Sequence, residues 1–324
     1  MTISFFEITE SQKEKFTRVF GENHTLKFFE ESIQNVDLKD FSDSDILCVF
    51  VYSTVSKEII NSCSNLKLIV TRSTGIDHID TEHANKRGID VKNVPLYGEN
   101  TVAEHTFALI LSLSRKIHES YISTTCGNFS TDGLMGFDLR GKTIGLIGGG
   151  RIGLHVARMA RSFGMHVRVY DINQDEFLAE IINFRYIPLD EILKQSDIIS
   201  LHLPSNKHTR HIINKESLSK MKEGAILINT ARGDLVDTSA LLDALDSGKI
   251  YGAGLDVLEG ESFMIEEENK FNSPISEAAK VIEKNKKLTQ KPNVVITPHN
   301  AFNSKEAIDR IIAKTIENIN DLLV

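Results

Sequence analysis

Short apolar runs alternate with segments of mixed polarity along most of this chain. The first runs are TISFFE (2–7), TLKFF (25–29), ILCVFVY (46–52), LKLIVTR (66–72) and GIDVKNV (88–94), with mixed segments such as 10–20 and 55–63 between them. A second series of runs occupies 143–148, 166–171, 197–203, 224–230, 250–257 and 293–298. Strands that alternate with helical patterns in this way predict βαβ crossovers and parallel sheets, and therefore an α/β fold.

A longer helical pattern spans 100–119, where Val102, Phe107, Leu109, Ile110 and Leu113 form the broad apolar face of a buried or interface-forming helix. The stretch CGNFSTDGLMGFDLRG (126–141) is rich in Gly, Asp and Ser and reads as a connection. Near the C-terminal end Ile308, Ile311, Ile312, Ile316, Ile319 and Leu323 recur at three- and four-residue spacings, the stripe of one helix. The charged tract 266–291, with EEENK and KVIEKNKK, predicts a surface helix with a solvated face.

A chain of 324 residues has room for two domains with separate cores. The net charge of −8 argues against a nucleic-acid surface, which needs clustered Lys and Arg. The opening MTISFFEITESQKEKF lacks the basic start and apolar core of a secretory signal. The most apolar stretch, TFALILSLS (106–114), is about half the length of a membrane span. A cytoplasmic protein with neither a nucleic-acid nor a membrane partner is expected. Cys48, Cys63 and Cys126 show no metal-ligand spacing, so reduced thiols and no metal site are expected.

Gly148, Gly150 and Gly153 fit G-x-G-x-x-G, and their context makes the motif specific: they follow the strand KTIGLI and open the helix IGLHVARMARSFG. Gly148 would allow the tight turn, Gly150 the approach of a pyrophosphate, and Gly153 the close packing of helix on strand. The backbone amides of Arg151 and Ile152, at the positive end of the helix, are the expected phosphate donors. Asp171 follows Gly148 by twenty-three positions, near the ~20 expected of the acid that binds the adenosine ribose hydroxyls. Its carboxylate would repel the extra phosphate of NADP, which predicts NAD as the cofactor.

Three later strand ends deliver chemistry. INTARGD places Arg232 after an apolar strand, where a planar guanidinium could hold a carboxylate and polarise a carbonyl. GLDVLEGES brings Asp256, Glu259 and Glu261 into one turn, and VVITPHNAF ends on Pro298 and His299.

Together with TRSTGID (71–77), NVPLYGENTVAEH (93–105) and HLPSNKHTRHIIN (202–214), these segments resemble the D-isomer-specific 2-hydroxyacid dehydrogenase family over nearly the whole chain. The resemblance implies two doubly wound, Rossmann-like parallel-sheet domains. The substrate domain would be flavodoxin-like and discontinuous (1–99 and 300–324), and the NAD-binding domain would span 100–299. It implies catalytic roles for Arg232, which would bind and polarise the substrate, for His299 as acid/base, and for Glu261 as the partner of its imidazole. Asp256 would meet the nicotinamide carboxamide, and Leu203, Pro204, Thr209, Thr230 and Ala231 would make further cofactor contacts. The backbone of Ser73, Thr74 and Gly75 would cradle the substrate carboxylate, with Tyr97 and Phe302 in the pocket.

The resemblance also implies a homodimer built on the NAD-binding domains, which would account for the apolar helix at 100–119. Tyr97 and EGES point to the D-lactate branch, hence to pyruvate and D-lactate or a slightly bulkier pair. Glycerate or glyoxylate is an alternative substrate, and an NAD(H)-sensing, corepressor-like protein is an alternative function. With its last helix ending at Val324, no regulatory domain is expected.

Overall fold

The computed structural model describes residues 1–261 and 277–323. The chain divides into two compact units, Met1–Gly98 with Asn303–Val324, and Glu99–Phe302.

In the first unit, strands β1 (Thr2–Phe5), β2 (Thr25–Phe28), β3 (Ile46–Val49), β4 (Leu68–Thr71) and β5 (Asp90–Lys92) form a sheet in the order β2-β1-β3-β4-β5. Every pairing is parallel. Side chains alternate between two buried faces. Ile3, Ile46, Cys48, Leu68 and Val70 pack with Ile312 and Ile319 of the helix Lys305–Leu323, while Leu47, Val49 and Ile69 pack with Ile59 and Ile60 of Lys57–Ser62. Burial on both faces is why these strands read as unbroken apolar runs. It also buries Cys48 and Cys63, and pushes the Cys48 thiol up to about 12.

In the second unit, β6 (Thr143–Ile147), β7 (His166–Tyr170), β8 (Arg185–Tyr186), β9 (Ile198–Leu201), β10 (Ala225–Asn229), β11 (Ile250–Leu255) and β12 (Val294–Ile296) form a parallel sheet in the order β12-β11-β10-β9-β6-β7-β8. The two-residue β8 is absent from the sequence expectation, because two residues cannot display a period. Both sheets are doubly wound, with order reversing between β1 and β3 and between β6 and β9.

The helix expected at 100–119 is two helices, Glu99–Ser114 and Ile117–Thr125, separated at Lys116, whose φ is +51°. Its apolar residues Val102, Phe107, Leu109, Ile110 and Leu113 are buried within the same unit, where the helix packs on β10, β11 and β12. Of the charged tract, 266–276 lies outside the described residues. Glu277–Thr289 forms a surface helix, with Glu283, Lys286 and Lys287 on its solvated face and Ile282, Asn285 and Leu288 buried at a three-residue spacing on the other. No described helix is long and apolar enough to cross a membrane.

Candidate active site

The glycine-rich turn leaves β6 at the switch point of the second sheet. Gly148 has φ +110°, and a Cβ there would lie 2.4 Å from the carbonyl oxygen of His202. A Cβ at Gly153 would lie 2.2 Å from the carbonyl oxygen of Gly148, so helix and turn touch through backbone. Gly150 differs. Its φ is −69°, which any residue adopts, and a Cβ there would meet nothing within 4 Å. Neither conformation nor internal packing explains this glycine; approach of a ligand does. The helix Arg151–Ser162 starts on Gly150 without a side-chain cap, which leaves its first amides, including those of Arg151 and Ile152, for an anion.

Asp171, just past β7, is brought to the same turn. Its carboxylate accepts the Gly149 amide at 2.6 Å and the Asn173 amide at 2.8 Å, so it is held at the rim of the cradle. These residues fit a dinucleotide. On the far side of the switch point Leu203 and Pro204 follow β9, and the Thr209 hydroxyl closes their loop by donating to the Pro204 carbonyl at 2.6 Å. Thr230 is buried, with its hydroxyl 3.0 Å from that of Thr106, and Ala231 is half-buried beside it.

The ends of β10, β11 and β12, which are neighbours in the sheet, carry Arg232, Glu261 and His299. Asn229 shapes the first of these ends by accepting the Ala231 amide at 3.1 Å and donating to the Arg232 carbonyl at 2.8 Å. Gly233 presses this turn against the next: a Cβ there would lie 2.0 Å from the Leu258 carbonyl oxygen. Arg232 is half-buried, and its Nη1 donates to the Ala231 carbonyl at 2.8 Å.

Glu261 and His299 meet. Glu261 Oε1 is 2.7 Å from His299 Nδ1, while Oε2 accepts the Leu258 amide at 3.1 Å. A carboxylate only accepts, so Nδ1 carries a proton, and proton exchange with a substrate falls to the other ring nitrogen, Nε2. The Phe302 ring stands edge-on to the imidazole, 6.4 Å between centroids. Glu259, in the same acidic turn, serves structure: it binds His211 Nε2 at 2.7 Å and the Thr238 amide at 3.3 Å.

Asp256 has no exposed side-chain surface. Burial alone would raise its pKa, but hydrogen bonds from His105, Thr297 and the amides of Ala301 and Asn300 outweigh that and hold the carboxyl below the usual range.

In the first unit, Ser73 follows β4 and donates to the Gly75 carbonyl at 2.7 Å, while the Thr74 hydroxyl donates to the Val94 carbonyl at 3.0 Å. These bonds shape the Ser73–Thr74–Gly75 loop. Tyr97 is buried, and its carbonyl accepts Arg310 Nε at 2.7 Å.

Sequence reasoning missed several residues that position the site. Gly233 had a visible signal, a glycine directly after the candidate arginine. Asn285 had a weaker one, a polar residue in the stripe Ile282–Leu288; its Nδ2 donates to the Glu259 carbonyl at 3.0 Å and ties the helix to the acidic turn. His105 and Thr297 had none, since their contact spans 192 positions.

The class to which this sheet edge fits is the dinucleotide-dependent α/β oxidoreductases. Comparison with known proteins narrows it. Residues 107–301 match the NAD binding domain of the D-isomer specific 2-hydroxyacid dehydrogenases. The chain is 35% identical over 318 residues to a Haemophilus influenzae protein named 2-hydroxyacid dehydrogenase homolog, covering 97% of this chain and 94% of that one. It is 42% identical over 265 residues to the aromatic 2-oxoacid reductase of Clostridium sporogenes, covering 82% and 77%. The solved structure of D-lactate dehydrogenase from Aquifex aeolicus, complexed with NAD and lactic acid, matches with a TM-score of 0.91 at 37% identity, covering 99% and 95%. This chain belongs to the D-isomer-specific 2-hydroxyacid dehydrogenases, and its second unit carries their NAD-binding domain. Its activity is the NAD-dependent interconversion of 2-hydroxy and 2-keto acids.

Proposed function

We propose that this dehydrogenase interconverts pyruvate and D-lactate, or a slightly bulkier pair, using NAD in preference to NADP. The contact of 2.7 Å between His299 and Glu261 carries the mechanistic reading. NAD, when bound, supplies the two-electron hydride chemistry. Arg232 holds the substrate carboxylate and polarises its carbonyl, and its hydrogen bonds strengthen as charge grows on that oxygen. His299 gives a proton to the oxygen during reduction and takes it back during oxidation, with Glu261 stabilising the positive ring.

By the family resemblance, the backbone of Ser73, Thr74 and Gly75 and the side chains of Tyr97 and Phe302 would contact the substrate. The lactic acid in the Aquifex aeolicus structure supports the small substrate; the aromatic 2-oxoacid reductase keeps the bulkier one in view. A cytoplasmic homodimer through the NAD-binding units follows from the same reading. It is supported by Ile117, Tyr121, Ile122, Phe129 and Met135, all exposed in that unit.

The test is kcat/KM with NADH for pyruvate, 2-ketobutyrate, phenylpyruvate, glyoxylate and hydroxypyruvate. Pyruvate or 2-ketobutyrate should lead. A leading hydroxypyruvate or glyoxylate overturns the substrate, and tight NADH binding with negligible turnover of all five overturns the enzyme.

A further inference from the structure

The turn that carries His299 is wound around Asp256. The Asp256 carbonyl accepts the His299 amide at 2.8 Å, and its carboxylate accepts the amides of Asn300 at 2.8 Å and Ala301 at 2.9 Å. This clamp holds His299 at φ +49°, a region that a residue with a Cβ rarely occupies. The Thr297 hydroxyl donates to the same carboxylate. A hydroxyl has one proton, so towards His105 the Thr297 oxygen can only accept. Their contact of 2.9 Å therefore has His105 Nε2 as the donor, and that nitrogen also lies 3.4 Å from Asp256 Oδ1. His105 itself sits inside the helix Glu99–Ser114, which is packed on β10, β11 and β12.

We propose that His105 is a positioning residue for His299, acting through Thr297 and Asp256. The proposal rests on the reading of His299 as the acid/base. Two carboxylates share the work: Glu261 sets the direction of the ring, and Asp256 sets the backbone from which the ring projects. The carboxylate that the family resemblance would give to the nicotinamide carboxamide is already engaged by this turn. His105 is the fixed point that keeps it there, because its helix cannot shift without disturbing three strands.

The test uses the full chain with NADH and pyruvate. His105→Leu should lower kcat about tenfold to a hundredfold, the cost of displacing a reacting group by up to an ångström, with NADH affinity by fluorescence titration unchanged. His105→Gln, which retains an N–H donor, should recover most of the loss. In a His299→Gln background His105→Leu should have no further effect. An unchanged kcat in His105→Leu, a Gln variant as impaired as the Leu variant, or a loss that persists in the His299→Gln background each overturns the proposal. If His105→Leu no longer binds NADH, Thr297→Val must show the same pattern, and its failure to do so counts equally. Full turnover in His299→Gln alone is a separate result: it removes the acid/base reading, and this proposal with it.

Discussion

The second sheet reverses its strand order between β6 and β9, and the chain leaving β6 there is Gly148-Gly149-Gly150. The first sheet reverses between β1 and β3, and the chain leaving β1 is Phe6-Glu7-Ile8. Both crevices lie where open parallel sheets bind ligands, but only one is left open. In the first unit Arg72, immediately after β4, turns its guanidinium back into the crevice. Nη2 donates to the carbonyls of Phe6 at 2.5 Å and Glu7 at 2.7 Å, Nη1 donates to Gln12 Oε1 at 2.9 Å, and the Phe50 ring lies 5.2 Å away. Gln12 also accepts the Thr9 amide at 3.3 Å, so the helix Glu10–Phe20 is capped by its own side chain. The helix Arg151–Ser162 begins on a bare glycine instead. A doubly wound sheet supplies a crevice, and the residues after its first strand decide whether a ligand or a side chain fills it.

The largest expected effect lies at the open end. His299→Gln should lower kcat by ~10²–10⁴, or about 3–5 kcal/mol of barrier, while the unfolding midpoint stays put. Retained turnover would show that the second crevice binds without catalysing through this residue.

Arg72→Met tests the filled crevice. It leaves the carbonyls of Phe6 and Glu7 without their guanidinium donor, each at about 1–3 kcal/mol. The first unit should lose roughly 2–6 kcal/mol in calorimetry or urea unfolding. An unchanged transition would mean that the crevice is not built around the cation.

The residue leaving the strand across the switch point is Phe50 in the first unit and His202 in the second. Burial pushes the His202 imidazole down to about 3. Below the ordinary value of about 6.5 the unfolded chain takes a proton that the folded chain refuses, so stability is complete above that value and falls with pH by about 1.4 kcal/mol per unit. Between pH 7 and pH 5 the second unit should lose about 2 kcal/mol from this source. His202→Gln should flatten that slope; an equal slope in the variant would place the proton uptake elsewhere.

The smallest effect separates two glycines of one motif. Gly150→Ala should weaken NADH about tenfold, or ~1.4 kcal/mol, and leave unfolding within ~0.5 kcal/mol. Gly153→Ala should instead destabilise by about 1–3 kcal/mol, because its Cβ meets backbone. Unaltered NADH affinity in Gly150→Ala would mean that the open space is not the phosphate cradle.

Much of this was legible in one dimension. Among the described residues, eleven of the twelve strands stand as apolar runs because both faces of each sheet are covered. The glycine motif, Arg232, Glu261 and His299 stand out because strand ends and turn chemistry are local. The break at Lys116 was hidden, since the apolar pattern of 100–119 continues across it. In the charged tract the lysines and glutamates show the solvated face of a helix, and they outnumber and so hide the buried positions Ile282, Asn285 and Leu288.

Local order along the chain was enough to determine which segments become strands, where the phosphate-binding turn falls and which residue types stand at the strand ends. Tertiary structure alone decided which of those residues meet. Glu261 reaches the imidazole of His299 while Glu259 reaches that of His211; Asp256 clamps a left-handed turn; His105 supports that turn from a helix nearly two hundred positions away; and Arg72 fills the crevice of the first sheet, whereas Gly150 leaves that of the second open. Hydrogen bonds are made in space and act over about 3 Å, so a pattern of spacings can nominate the partners, and only packing can pair them.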